Sequence, residues 1–310
     1  MKRCFRYYVA AGAMALFSQQ SSAMVSIQFD YSFDDNNFFG SPGSTQRTLL
    51  ESAGAFFASN INDSLTAITP DANNTFNANF THPGTGAEQI VTNLMVPSNT
   101  LIVFAGGRSL PGTTVGQGGF GGAEITTAQS QAFIDNAFSR GQAGALGDPS
   151  TRTDFGPWGG TIAFDTDAAT NWYFDTDLST SDDVVDNDFY SVALHELGHL
   201  LGLGLAPSWN NLISGSDFTG AASSNLFGGN VPLADAGHWK DGTTGLVNGV
   251  SQEAAMDPSI RQGTRKEFTD LDLAGLNDVG WEVTVVPVPA AVWLFGSALM
   301  GLVVTARRRS

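Results

Sequence analysis

Asp188-Phe189-Tyr190-Ser191-Val192-Ala193-Leu194-His195-Glu196-Leu197-Gly198-His199-Leu200-Leu201-Gly202-Leu203-Gly204-Leu205 reads as a helix that carries a chemical face. Val192, Ala193, Leu197, Leu200 and Leu201 supply an apolar setting, and Asp188 is placed to cap a helix over residues 189–203. His195 and His199 stand at i and i+4, so they project from one face and can hold one ion from a rigid scaffold. Glu196 is one position on, too far round to share that ion. It is placed instead to accept a proton from a metal-bound water, whose pKa zinc lowers toward roughly 7. Gly198 and Gly202 cost about 1 kcal/mol each relative to alanine inside a helix. Their presence points to tight packing or a turn, and the chain is expected to leave the helix around Gly202-Leu203-Gly204.

This run resembles the metzincin metallopeptidases, in particular the matrixin-like branch, whose pattern is His-Glu-x-x-His-x-x-Gly-x-x-His followed by a distant methionine turn. The resemblance places two zinc ligands on His195 and His199, the general base on Glu196 and the turn glycine on Gly202. Ala254-Ala255-Met256-Asp257-Pro258 looks like the methionine turn, with Met256 as a hydrophobic floor beneath the metal. Gly160-Thr161-Ile162-Ala163-Phe164-Asp165-Thr166-Asp167 resembles the matrixin segment that forms a substrate-facing edge strand and a calcium loop. The fold implied is α/β (α+β): a metzincin-like twisted mixed β-sheet with long helices, an active-site helix, the methionine turn and a short C-terminal helix. The activity implied is that of a secreted or cell-surface zinc-dependent endopeptidase acting on proteins or peptides. The alternative is a catalytically inactive surface or matrix-binding protein that keeps the fold.

The chain departs from the family where the third ligand should stand, because that position is Leu205, which cannot bind zinc. A catalytic zinc normally has three protein ligands and an open fourth position. The histidines are only four: His82, His195, His199 and His238. His238 lies between the helix and Met256, the interval from which the family draws its third ligand. An insertion over residues 206–236 is therefore expected to displace the ligand to His238, with Asp235, Asp241 and His82 as the remaining candidates. For calcium the candidates are Asp165, Asp167, Asp175 and Asp177; no EF-hand spacing is present, and a solvated acidic loop is the other reading.

Outward from this centre, Val25, Ile27, Phe29 and Tyr31 alternate with polar residues and predict a strand. Leu49, Ala53, Phe56, Phe57, Ile61 and Leu65 predict a long helix behind Ser44 and Thr45. Phe76, Ala78 and Phe80 alternate again, and residues 101–104 read as a buried strand ending at Gly106-Gly107. The glycine-rich residues 112–122 contain no lysine and read as a flexible surface loop. A second helix is expected after Thr126 and Thr127 through Phe138, and Thr161 to Phe164 as a short strand. Thr269-Asp270-Leu271-Asp272 has a capping-box shape and opens a short helix through Asp278.

Both ends read as targeting signals. Lys2, Arg3 and Arg6 precede an apolar run and Ser21-Ser22-Ala23, so residues 1–23 are expected to be a signal peptide, followed by a metallopeptidase domain over 24–283. At the other end, Pro287-Val288-Pro289 leads into 17 uncharged residues, 290–306, and then Arg307, Arg308 and Arg309. That order resembles the bacterial PEP-CTERM sorting tail, with Pro-Val-Pro where Pro-Glu-Pro is usual. It implies an exosortase-type sorting peptidase and the membrane as partners of residues 284–310, export across the inner membrane, and a cell-surface or extracellular destination; a plain C-terminal anchor is the alternative. Six of the 14 basic residues lie in these ends, leaving eight against all 30 acidic ones, a charge of −22. Nucleic acid is thereby excluded as a partner. The one cysteine, Cys4, falls in the leader, so a thiolate ligand or intrachain disulfide is not expected in the domain.

Overall fold

The computed structural model describes residues 24–180 and 183–284. In chain order its strands and helices are β1 (Ser26–Asp30), α1 (Thr45–Asn60), β2 (Asn77–Thr81), β3 (Glu88–Val91), β4 (Thr100–Arg108), β5 (Gly116–Phe120), β6 (Gly122–Glu124) and α2 (Gln131–Ser139). Then follow β7 (Gly159–Asp165), β8 (Trp172–Tyr173), β9 (Asn187–Asp188), α3 (Phe189–Leu200), α4 (Pro207–Asn210), β10 (Ile213–Ser214), β11 (Asp217–Phe218), α5 (Ala221–Phe227), β12 (Val231–Pro232), β13 (Thr244–Val247), β14 (Val250–Glu253) and α6 (Asp270–Val279). The architecture is mixed α and β, in agreement with the coarse class expected.

The main sheet has the order β1-β4-β7-β5. β1, β4 and β7 run parallel, with Phe29 opposite Val103 and Ala105 opposite Ile162, and β5 closes the sheet antiparallel, with Gly118 opposite Ile162. β4 explains the layering. Its side chains alternate across the sheet, so Leu101, Val103 and Ala105 join Leu49, Leu50, Ala53 and Phe57 of α1 and the apolar side of α3. Ile102 and Phe104 face the other way, onto Phe76, Phe80 and Trp158. There Phe80 stacks on Phe104 with ring centroids 4.4 Å apart, and the antiparallel sheet β3-β2-β6 covers that face.

Several expectations are corrected. Residues 112–122 are not a loop: they include β5, because its glycines allow a strand to lie against α3. Ile162 is not on an edge, since β7 is paired on both sides; the terminal strand beside it is β5. β4 does not stop at Gly106-Gly107 but runs through both, with Phe38 packed where a Gly107 side chain would be. α1 ends at Asn60, short of Leu65, and α2 is capped by Ser130 rather than by Thr126 or Thr127. α3 ends at Leu200, three residues early, because the chain turns back at Gly202, whose φ is +107°.

The described chain closes where the Asn62 N–H donates to Glu282 O and the Thr284 N–H to Asn60 O, each 2.8 Å. The expected leader, 1–23, and the apolar stretch 290–306 lie outside the described residues. Among the described residues, no helix is long and apolar enough to cross a membrane.

A buried ion pair fixes the start of α3. Arg265 Nη2 donates to Asp188 Oδ1 at 2.9 Å and Nε to Oδ2 at 3.2 Å, and each side chain is 1% exposed. Asp188 also caps the helix, accepting the Ser191 N–H at 3.1 Å and hydroxyl at 2.6 Å. Replacing Asp188 by alanine leaves the buried Arg265 guanidinium only the more distant Asp175 carboxylate, 3.6 Å away, so a loss of about 3–5 kcal/mol is expected. Urea unfolding of the two proteins measures it; a loss no larger than that of an ordinary exposed ion pair would contradict this account.

Candidate metal centre

α3 brings His195 and His199 to the floor of a cleft of about 830 Å³, which Val115, Val192, Glu196 and His238 also line. The His199 Nε2 lies 3.1 Å from His195 Nε2 and 3.1 Å from His238 Nε2. The opposite nitrogens are all engaged: His195 Nδ1 meets Ala255 O at 2.7 Å, His199 Nδ1 meets Leu203 O at 2.8 Å, and His238 Nδ1 meets the Asp235 carboxylate at 2.9 and 3.0 Å. Carbonyl and carboxylate oxygens accept here, which assigns a proton to each Nδ1 and turns the three Nε2 atoms toward one another. Burial, with the neighbouring imidazoles, holds His195 well below the usual histidine range, and burial pushes His199 down to about 4.

Three unprotonated nitrogens at this separation repel unless a cation lies among them. The fit to zinc is direct, because tetrahedral Zn–N bonds of about 2.0–2.1 Å set ligand nitrogens roughly 3.3 Å apart. Among the described residues, these three histidines are the only group of three or more His, Cys, Asp or Glu side chains whose donor atoms converge so.

Leu205, at the position where a histidine was sought, is 41% exposed and lines the same cleft. The chain leaves there for residues 206–236 and returns with Gly237 against Gly204: a Cβ on Gly204 would sit 2.5 Å from Gly237 O. His238 is thus delivered beside the vacant place. The other candidates are engaged elsewhere. Asp241 accepts the Ser259 hydroxyl at 3.2 Å, His82 Nδ1 accepts the Gly84 N–H at 3.1 Å, and Asp235 stands behind His238.

Glu196 is 6% exposed and lies under β5, whose Gly118 N–H donates to its carboxyl. Burial pushes its pKa up to about 8, against the pull of that N–H. A Cβ on Gly116 would lie 2.7 Å from Glu196 Oε1, and one on Gly118 would overlap the Glu196 carbonyl oxygen. Composition alone did not reveal this role of the glycines; their alternation at 116 and 118 was the available signal.

Met256 is 1% exposed and packs on the helix turn between the two histidines, where a Cβ on Gly198 would lie 2.5 Å from its sulfur. Its turn is tied to Asp272, which accepts from the Ala255 N–H at 2.9 Å and the Met256 N–H at 3.2 Å. The expected capping box of α6 is present, and the same Asp272 serves both.

The calcium candidates do not converge. Asp165 accepts the Leu110 N–H at 2.8 Å, the Asp167 N–H at 3.3 Å and the Thr170 hydroxyl; Asp175 accepts the Asp177 N–H at 2.8 Å; and Asp177 accepts the Ser179 N–H at 3.1 Å. Asp167, Thr170, Asp177 and Ser179 give bonds that close local turns, while Leu110 reaches Asp165 from across the chain and Asp175 also lies 3.6 Å from Arg265 Nη2.

No protein-family model matches the chain, and no curated protein or solved structure matches it. The chemistry assigned to this cleft rests on its own geometry.

The contact between β5 and α3 is open to test. Gly118→Ala forces β5 off the Glu196 backbone and should cost about 1–3 kcal/mol. Gly119→Ala meets only Leu205 Cδ1 at an ordinary 3.5 Å and should stay within about 0.5 kcal/mol of the parent. Equal unfolding midpoints for the two variants would count against the packing described.

Proposed function

We propose that this chain is a zinc-dependent endopeptidase of metzincin type. One observation carries the proposal: the Nε2 atoms of three imidazoles converge, with the buried Glu196 carboxyl beside them on the helix that bears His195 and His199. His195, His199 and His238 would hold the ion, leaving its fourth position to face the cleft. A zinc ion bound there supplies Lewis-acid polarisation of a carbonyl and acidifies a water.

The residues of the chain do the remaining work. Glu196 would act in its ionised form, taking a proton from the attacking water and passing it to the departing amine. The outer edge of β5 is the backbone on which an extended peptide pairs, since β7 is enclosed. Met256 and Gly198 keep the helix turn between the histidines from shifting.

The cleft and the two ends of the chain support one picture. The leader-like residues 1–23 and the tail-like residues 284–310 favour export and engagement of the membrane by a sorting peptidase, so that the domain works outside the inner membrane on proteins or peptides. The competing view, a binding protein without catalysis, was favoured by Leu205 and loses that support if His238 is a ligand.

Two measurements test the proposal on the full-length protein. Elemental analysis should find about one zinc per chain, and His238→Ala should lose it on dialysis. Glu196→Gln should keep the zinc yet cleave casein about 10²–10⁴-fold more slowly. Zinc retained by His238→Ala would remove that residue from the ligand set, and undiminished cleavage by Glu196→Gln would remove the proposed base.

A further inference from the structure

We infer that Asp235 is a positioning residue for the third metal ligand, orienting the His238 ring and setting a full negative charge behind it. This rests on the zinc-peptidase proposal and adds to it a residue that takes no part in ligation or proton transfer.

The three imidazoles are not held alike. His195 and His199 rise from α3, and each Nδ1 donates to a backbone carbonyl. His238 instead arrives at the end of the excursion over 206–236, on no helix or strand. Its backbone is fixed from several sides. Ala234 N–H donates to His238 O at 3.0 Å, Trp239 N–H to Met256 O at 3.0 Å, and Trp209 Nε1 to Ala236 O at 2.8 Å. None of those bonds turns the imidazole. Apart from the other two imidazoles, the ring is met by the Asp235 carboxylate, which bridges Nδ1 with both oxygens and accepts the Gly237 N–H at 2.7 Å.

Two consequences follow from elementary chemistry. An acceptor at Nδ1 fixes the tautomer and leaves Nε2 free to ligate, and a carboxylate raises the basicity of that nitrogen more than a carbonyl does. Three neutral imidazoles also bring a dication no negative charge, whereas Asp235 supplies one through His238. Because the Asp235 side chain is 57% exposed, its removal buries no orphaned charge, so its effect should fall on the metal and not on the fold.

The test is zinc affinity of the full-length protein by competition with a chromophoric chelator, alongside the visible absorption of the cobalt(II)-loaded form and thermal melting of the metal-free form. Asp235→Ala should bind zinc about 10–100-fold more weakly, change the cobalt absorption, and melt with the parent when metal-free. Asp235→Asn keeps an acceptor for Nδ1 and Gly237 but no charge, and should fall between the two. Parent affinity and an unchanged cobalt spectrum in Asp235→Ala would overturn the inference while leaving the zinc site standing. A lowered metal-free melt in Asp235→Ala, together with parent affinity in Asp235→Asn, would assign Asp235 to the fold and overturn it likewise. Absence of zinc binding by the parent would remove the peptidase proposal and this inference with it.

Discussion

The Asp272 carboxylate, fully buried, gathers five hydrogen bonds: from the indole N–H of Trp239 at 2.9 Å, the Ala255 N–H at 2.9 Å, the Met256 N–H at 3.2 Å, and the Thr269 N–H and hydroxyl at 2.8 and 2.7 Å. Each donor belongs to a segment that the candidate centre needs. Trp239 follows His238, Ala255 offers the carbonyl that orients His195, Met256 floors the helix turn, and Thr269 opens α6. Burial raises the Asp272 pKa, while the donors from Thr269, Ala255 and Met256 pull against it. A buried carboxylate is tolerable only when its lone pairs are satisfied, so these segments are held together by the need to solvate one charge.

The second constraint is steric. α3 is approached closely by β5 on one side and by the Met256 turn on the other, and in each case a glycine makes room, at 116 and 118 above Glu196 and at 198 beneath the histidines. The helix forms in spite of Gly198, whose cost of about 1 kcal/mol relative to alanine is offset by burial of Phe189, Leu194, Leu197 and Leu200, all at most 1% exposed. Phe189 alone packs on Phe38, Phe39, Phe164, Trp172 and Phe174. The helix holds its chemical groups in place because its apolar side is enclosed on almost every quarter.

What was legible in the sequence follows from how local each signal is. Histidines at i and i+4, an N-cap aspartate, the apolar alternation of β1 and the apolar run of β4 are set by neighbouring residues, and these elements form there, with α3 shorter and β4 longer than expected. The glycine run over 112–122 was misread because glycine marks both loops and close backbone approaches, and only the partner, here α3, tells them apart. Asp272 was read as a cap, which is its local role; its reach to Ala255, Met256 and Trp239 is tertiary. In the sequence Asp235 shows only an acid type and a position that suit a ligand; its place behind His238 is set by the turn that closes on the ring.

The return of His238 to α3 after residues 206–236 raises a question of cost. Closing a longer loop is inexpensive, about 0.6 kcal/mol for each doubling of its length, but an unstructured excursion would leave His238 poorly placed. Residues 206–236 avoid this by packing Trp209, Phe218, Val231 and Leu233 into the main core. Trp209 stacks on Phe218 with centroids 4.0 Å apart and lies 4.9 Å from Trp239, and all three are fully buried. α5 is pinned in turn to α6, where Asp278 accepts the N–H groups of Ala222 and Ser223 at 2.8 Å each. The return point is therefore set twice, by the aromatic cluster within the excursion and by Gly237 lying against Gly204. A histidine can lie far along the chain and close in space when the intervening segment folds against the same helix that closes the domain.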